Sequence, residues 1–218
     1  MRSLWYELEY FPTPPWAARV GGELIQRLDP GPWWAWEPAC GEGHMAYGLG
    51  DYFPVVHATD IHPHSDFQHG EPLDFLSERA DAYDQADWIV TNPPYLLAGE
   101  FVRLGLQRAR RGVAIFNRSG WLETIGRFDL FFGDDRLLAV EAPFFERVGL
   151  HMGVWRPGNG TPMAYSWFIF FRPDVVPPWL TALRAAVGEP CSVTLPIAPG
   201  QQKRLTRPQD LKRFRVLP

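Results

Sequence analysis

Four consecutive residues, Asn92, Pro93, Pro94 and Tyr95, offer two carbonyl acceptors and a ring face within one short stretch. Asn92 has a side-chain carbonyl, and Pro93 a backbone carbonyl with no N–H of its own to compete. The paired prolines stiffen the main chain and so set where those carbonyls aim. Proline neither continues a sheet ladder nor sits in its middle, so the set belongs at the end of the strand-like run "DWIVT". Upstream lies Glu37-Pro38-Ala39-Cys40-Gly41-Glu42-Gly43, in which Gly41 and Gly43 can take positive φ and let the backbone approach a ligand closely. Asp60 follows Gly43 by seventeen residues and could accept both hydroxyls of a ribose. A glycine turn with a ribose-spaced acid points to a nucleoside-containing cofactor, and the lack of a GKS/T run excludes a P-loop triphosphate site.

Such residues need elements that carry them to one edge. Strand-like runs at 33–38, 55–60, 87–92 and 112–117 are each followed by a helical or turn-rich stretch. That alternation predicts βαβ units and a parallel, doubly wound α/β sheet. The segment 98–112 spaces Phe101, Leu104 and Ala109 as one helical face, which suits a crossover helix. Two later strand candidates, 136–148 and 163–172, are joined by a Gly/Pro-rich loop too short for a crossover, so an antiparallel hairpin is expected at one edge of the sheet. We place the main domain at 1–175; residues 176–218 read as a short helix and a basic tail, not an independent domain.

The chain has 218 residues, enough for one α/β domain and a small appendage. A net charge of −4 excludes a uniformly basic coat but not a local basic face. Two cysteines without CxxC spacing argue against a disulfide framework and against structural zinc. With no secretory segment and no apolar run long enough to span a bilayer, a soluble cytoplasmic protein without a membrane partner is expected.

The set "YFPTPPWAA" at 10–18, "EPACGEG" at 37–43, "ATDIHP" at 58–63, "PLDFL" at 72–76 and "TNPPY" at 91–95 resembles the S-adenosylmethionine-dependent amino-methyltransferases. More narrowly it resembles the DNA adenine-N6 methyltransferases, including small phage-type members. The resemblance covers about the first 120 residues and, weakly, the "AYSWFIFF" run. It implies a Rossmann-like class I methyltransferase sheet, S-adenosylmethionine as cofactor with S-adenosylhomocysteine as product, no metal, and duplex DNA with a flipped-out adenine as partner. By the same resemblance Asn92, Pro93, Pro94 and Tyr95 are the catalytic set: Asn92 and Pro93 hold the exocyclic amine, and Tyr95 stacks on the base, a contact worth about 1–3 kcal/mol. Tyr10, Phe11, Thr13 and Pro14 pack around the methionine part; Glu37, Pro38, Ala39, Cys40, Gly41 and Gly43 form the floor. Asp60, with Ile61 beside it, takes the ribose, Asp74 and Phe75 meet the adenine, and Asn92 adjoins the cofactor. Glu37 departs from the Asp of many relatives, keeping the charge and lengthening the reach.

Other features have plainer readings. Cys40 sits inside the glycine turn, where a buried small side chain is expected rather than a thiolate nucleophile. His57, His62, His64, Asp66 and His69 match no justified metal-ligand spacing. The tail carries Lys203, Arg204, Arg207, Lys212, Arg213 and Arg215 against the single acid Asp210, which makes phosphate contact one reading and a surface-packed tail the other. Trp155 is either a base-stacking residue or a cover over the core. Little chain follows the last strand candidate, so a short or relaxed DNA target is expected. The rival functions are methylation of RNA guanine N2 or of protein glutamine, which also present a planar conjugated amine, and a catalytically idle nucleoside- or nucleic-acid-binding module.

Overall fold

The computed structural model describes residues 9–64, 71–83, 86–123, 125–133, 137–158, 160–188 and 190–214. Among them, seven strands form one sheet: β1 (Trp34–Glu37), β2 (Val55–Ala58), β3 (Trp88–Thr91), β4 (Gly112–Arg118), β5 (Leu137–Pro143), β6 (Tyr165–Phe171) and β7 (Val193–Thr194). Their spatial order is β2-β1-β3-β4-β6-β5-β7. The first four are parallel, β6 runs antiparallel to both β4 and β5, and β7 is parallel to β5. The helices are α1 (Pro15–Leu28), α2 (His44–Leu49), α3 (Ala98–Arg108), α4 (Phe128–Phe132), α5 (Pro178–Val187), α6 (Gln201–Leu205) and α7 (Pro208–Arg213).

The expected doubly wound sheet is present, and its central strands read as continuous apolar runs because both faces are covered. Trp88, Val90, Phe116, Trp167, Ile169 and Phe171 point into one layer, packed beneath Trp16, Val20 and Leu24 of α1, Met45 and Leu49 of α2, and Leu180 of α5. Ile89, Val113, Ile115, Phe168 and Phe170 point into the other, beneath Phe101, Val102 and Leu106 of α3 and Leu130 and Phe131 of α4. The crossover helix and the antiparallel pair are both where the sequence places them, although the pair is not the outermost element. A two-residue β7, too short to show a pattern, adds to β5 through Val140 and Val193, so the sheet continues past residue 175.

Helix α1 is absent from the sequence reading, which gives Tyr10, Phe11, Thr13 and Pro14 a cofactor-packing role and assigns no element to the residues after them. Its signals are Pro15 in the first turn, where proline lacks no needed donor, and Trp16, Val20 and Leu24 spaced four apart. At its centre Arg19 is buried, donating to both carboxylate oxygens of Asp210 at 2.7 and 2.8 Å, to Asp51 at 2.6 Å and to the Leu205 carbonyl at 2.7 Å. The last described residues are thereby fastened to the first helix. Among the described residues no helix is long and apolar enough to cross a membrane.

Candidate active site

Parallel register aligns the carboxyl ends of the first three strands: Glu37 lies opposite Ala58, just before Asp60, and β3 ends at Thr91, just before Asn92. Strand β1 lies between β2 and β3, so the chain leaves its neighbours to opposite sides and a crevice opens above it. The turn after β1 is built on Gly41 (φ 52°) and Gly43 (φ 84°), the left-handed conformations the sequence requires of them. Asp60 pins this turn: its carboxylate accepts from the Gly41 N–H at 2.8 Å and from the His62 N–H at 2.9 Å, with His64 Nε2 3.5 Å away.

Residues 9–14 fold over the turn. A Cβ on Gly41 would stand 2.2 Å from the Tyr10 ring, which itself stacks on His64 with centroids 4.7 Å apart. The Tyr10 hydroxyl accepts from the Glu42 N–H at 3.3 Å. Beside it the Asn92 amide nitrogen donates to the Phe11 carbonyl at 3.0 Å and to Thr13 Oγ1 at 2.9 Å. Both partners can accept, which sets the amide orientation and leaves Asn92 Oδ1 buried with no partner.

These segments enclose a cavity of about 390 Å³, within the range of small-molecule sites. Of the residues singled out in the sequence, Tyr10, Phe11, Thr13, Glu37, Pro38, Ala39, Cys40, Asp60, Ile61, Asp74, Phe75, Asn92 and Pro94 line it. Phe75 is held edge-on by Trp36 (5.2 Å) and stacked on Phe101 (4.7 Å). Asp74 Oδ1 accepts from the Leu76 N–H at 2.8 Å, which fixes the turn that presents Phe75. Pro14, Gly41, Gly43, Pro93 and Tyr95 do not line the cavity. Pro14 opens α1 through its carbonyl, and the glycines shape the turn from behind. Tyr95 is half-buried, its ring 5.6 Å from Phe11 and covered by the Arg118 guanidinium at 4.4 Å.

Two ionisable groups in the cavity wall lack partners. Glu37 is buried and neither oxygen makes a hydrogen bond of good geometry; burial pushes its carboxyl well above the usual range, with Thr91 and nearby backbone amides opposing only in part. His44 is 2% exposed with both ring nitrogens unpartnered, and burial pushes its pKa down to about 3, so the ring is neutral. The sequence reading misses His44, Met45 and His64 among the wall residues. For His44 the signal was there, since it is the first helical residue after the glycine turn. Cys40 is buried and its thiol is pushed far up by burial, as an inert small side chain requires.

The proposed nucleic-acid contacts divide. Trp155 is buried at 2% exposure, edge-on to His44 and Phe214, which corrects the base-stacking reading: its ring is spent on internal packing. Arg204 pairs with Glu23 and Arg207 with Asp51 at 2.8 Å, while Lys203, Lys212 and Arg213 are exposed. Arg215, like Asp66 and His69 of the histidine-rich stretch, lies outside the described residues. Among the described residues no three metal-ligating side chains gather.

No family model matches the chain, and no curated protein matches it. Solved structures do share its fold. A presumed RNA methyltransferase from Pyrococcus horikoshii superposes with TM-score 0.54 at 13% identity, over 79% of this chain and 91% of that one. The type I restriction-modification methyltransferase subunit of Streptococcus thermophilus gives 0.51 at 14% identity, over 75% of this chain and 45% of its own. The modification subunit of a presumed type I restriction enzyme from Vibrio vulnificus YJ016 gives 0.50 at 12% identity, over 93% and 51%. This chain therefore spans about half the length of those two subunits. At such identities the likeness is one of fold: a Rossmann-like class I methyltransferase sheet, mostly parallel with one antiparallel hairpin.

Proposed function

We propose that the protein transfers a methyl group from S-adenosylmethionine to the N6 amine of adenine in DNA. The observation that carries this reading is Asn92: its amide N–H groups are committed to Phe11 and Thr13, and its oxygen is a buried, unpartnered acceptor in the wall of the cavity. An acceptor kept in that state is costly unless a donor arrives, and an exocyclic amine is such a donor.

The wall residues fit the cofactor. Asp60 follows β2 by two residues and lines the cavity, where a carboxylate can accept from ribose hydroxyls, Phe75 gives an apolar edge for a purine, and the absence of a Cβ on Gly41 lets the Tyr10 ring close over the turn. When bound, the cofactor supplies a methyl group on a positively charged sulfur, so no strong base is needed before attack. The chain's own task is at the amine. The N6 lone pair is delocalised into the ring, and Asn92 Oδ1 with the Pro93 carbonyl would draw the two hydrogens out of plane and free it. Tyr95 would stack on the base only after the exposed Arg118 side chain leaves its ring face.

Two fold neighbours named for restriction-modification favour DNA as the acceptor, and the one named for RNA favours RNA. The test is to incubate the protein and S-adenosylmethionine with unmethylated duplex DNA and, separately, with RNA, and to analyse nucleosides by mass spectrometry. N6-methyladenine from the DNA is the expected product; N2-methylguanine from the RNA alone would replace this reading with the other.

A further inference from the structure

The strongest unassigned feature is the imidazole of His44. It forms part of the cavity wall, is almost wholly buried, and has no hydrogen-bond partner at either nitrogen. The ring is held in place by aromatic neighbours: Phe214 stacks on it with centroids 3.9 Å apart, and Trp155 meets it edge-on at 5.9 Å. Those contacts occupy ring surface and offer no polar group. A neutral imidazole in this position presents one N–H donor and one bare nitrogen acceptor, and both are left unmet.

The position of His44 across the sheet says which part of a ligand it meets. Phe75 packs with Trp36 and Phe101 in one layer of the core, whereas Met45, next to His44, packs in the other with α1. Phe75 and His44 both line the cavity, as do Glu37 to Cys40 between them at the carboxyl end of β1, an arrangement that suits a ligand with its purine at Phe75 and its other end towards His44. In S-adenosylmethionine that end is an α-amino acid, with a carboxylate that accepts and an ammonium that donates.

Resting on the cofactor reading above, we infer that His44 recognises the amino-acid end of the cofactor, donating its N–H to the carboxylate. His44 thereby distinguishes S-adenosylmethionine and its product from adenosine thioethers that lack the amino acid. Phe214, from the far end of the chain, acts as the positioning residue that holds the ring plane.

The test is calorimetric binding with two probes, S-adenosylhomocysteine and 5′-methylthioadenosine, which shares the nucleoside and sulfur but has no amino-acid end. Wild type is expected to bind both, the first more tightly. His44→Phe should weaken S-adenosylhomocysteine at least tenfold, the scale of a lost hydrogen bond to a charged group, and leave 5′-methylthioadenosine within about twofold. His44→Gln, which keeps a donor, should recover part of the loss, and His44→Leu serves in place of the Phe variant if that one does not fold. Equal weakening of both probes would overturn the assignment in favour of a structural role, as would no change for S-adenosylhomocysteine. Failure of wild type to bind either probe would overturn the cofactor reading itself, a result distinct from both.

Discussion

The Asn92 amide donates to the Thr13 hydroxyl at 2.9 Å and, with its bond to the Phe11 carbonyl, joins the end of β3 to the segment that covers the cavity. Asn92→Ala should abolish methyl transfer while S-adenosylhomocysteine binding measured by calorimetry stays within a few-fold of wild type. Substantial residual transfer would remove Asn92 from its role.

Thr13→Val keeps the shape of the side chain and deletes the acceptor, leaving the Phe11 carbonyl to orient the amide alone. One hydrogen bond of about 1 kcal/mol then separates the two settings of Asn92, and kcat should fall about five- to tenfold with little change in cofactor affinity. An unchanged kcat would mean that Phe11 suffices.

Gly41 combines a φ of 52° with a site where a Cβ would strike the Tyr10 ring at 2.2 Å. Gly41→Ala must push Tyr10 away and strain the turn that Asp60 pins. We expect a loss of about 1–3 kcal/mol in stability and at least a tenfold loss of cofactor affinity, read by denaturant unfolding and calorimetry. Unimpaired affinity would show that the Tyr10 cover is dispensable.

The residues that sequence alone exposes are those whose local chemistry forces the backbone: the glycines at φ > 0, the prolines that end β3, and the apolar runs of β3, β4 and β6 that need two covering layers. Thirteen of the wall residues, from Tyr10 to Pro94, were legible through the motif resemblance, and of these Asp60 and Asn92 also through their place at strand ends. The rest depend on contacts distant in sequence. Arg19 gives no hint that Asp210 will meet it 191 positions later, and a tail of basic residues reads the same whether its charges face solvent or, like Arg204 and Arg207, find acids on α1 and after α2. Trp155 was open between two readings because its burial is decided by His44 and Phe214, neither of them near it in the chain.

Glu37 is a buried carboxylate without a good partner, and its folded-state pKa is raised above the ordinary 4.5. The folded protein therefore holds this proton more tightly than the unfolded chain does, and stability falls as pH rises through the interval above 4.5. Glu37→Gln should raise unfolding stability at neutral pH by about 1–3 kcal/mol, with the gain shrinking towards pH 4.5, while weakening cofactor binding. His44 contributes the opposite slope, since its depressed pKa makes the fold lose stability below pH 6.5, so the variant-minus-wild-type difference is the quantity to plot. A difference that does not vary with pH would mean that Glu37 is not the titrating group.

The Arg19–Asp210 pair decides how the tail can be tested. Both side chains are buried; removing Arg19 leaves the Asp210 carboxylate uncompensated, and removing Asp210 takes both of its hydrogen bonds from the Arg19 guanidinium and leaves only Asp51 beside that charge, a loss of about 3–5 kcal/mol. Asp210→Ala should therefore lower Tm by about 10 °C, and deleting residues 203–218 should destabilise the domain before it says anything about DNA. The informative variants are Lys203→Gln, Lys212→Gln and Arg213→Gln, whose side chains are exposed and take no part in that pair's hydrogen bonds. If the tail contacts phosphates, the triple variant should bind all DNA sequences more weakly and reduce the slope of log affinity against log salt by about 2–3. Arg204 and Arg207, already paired with Glu23 and Asp51, should contribute less when replaced singly. A slope equal to that of wild type would place the DNA elsewhere on the molecule and leave the tail with the purely structural work of holding α1 and stacking Phe214 on His44.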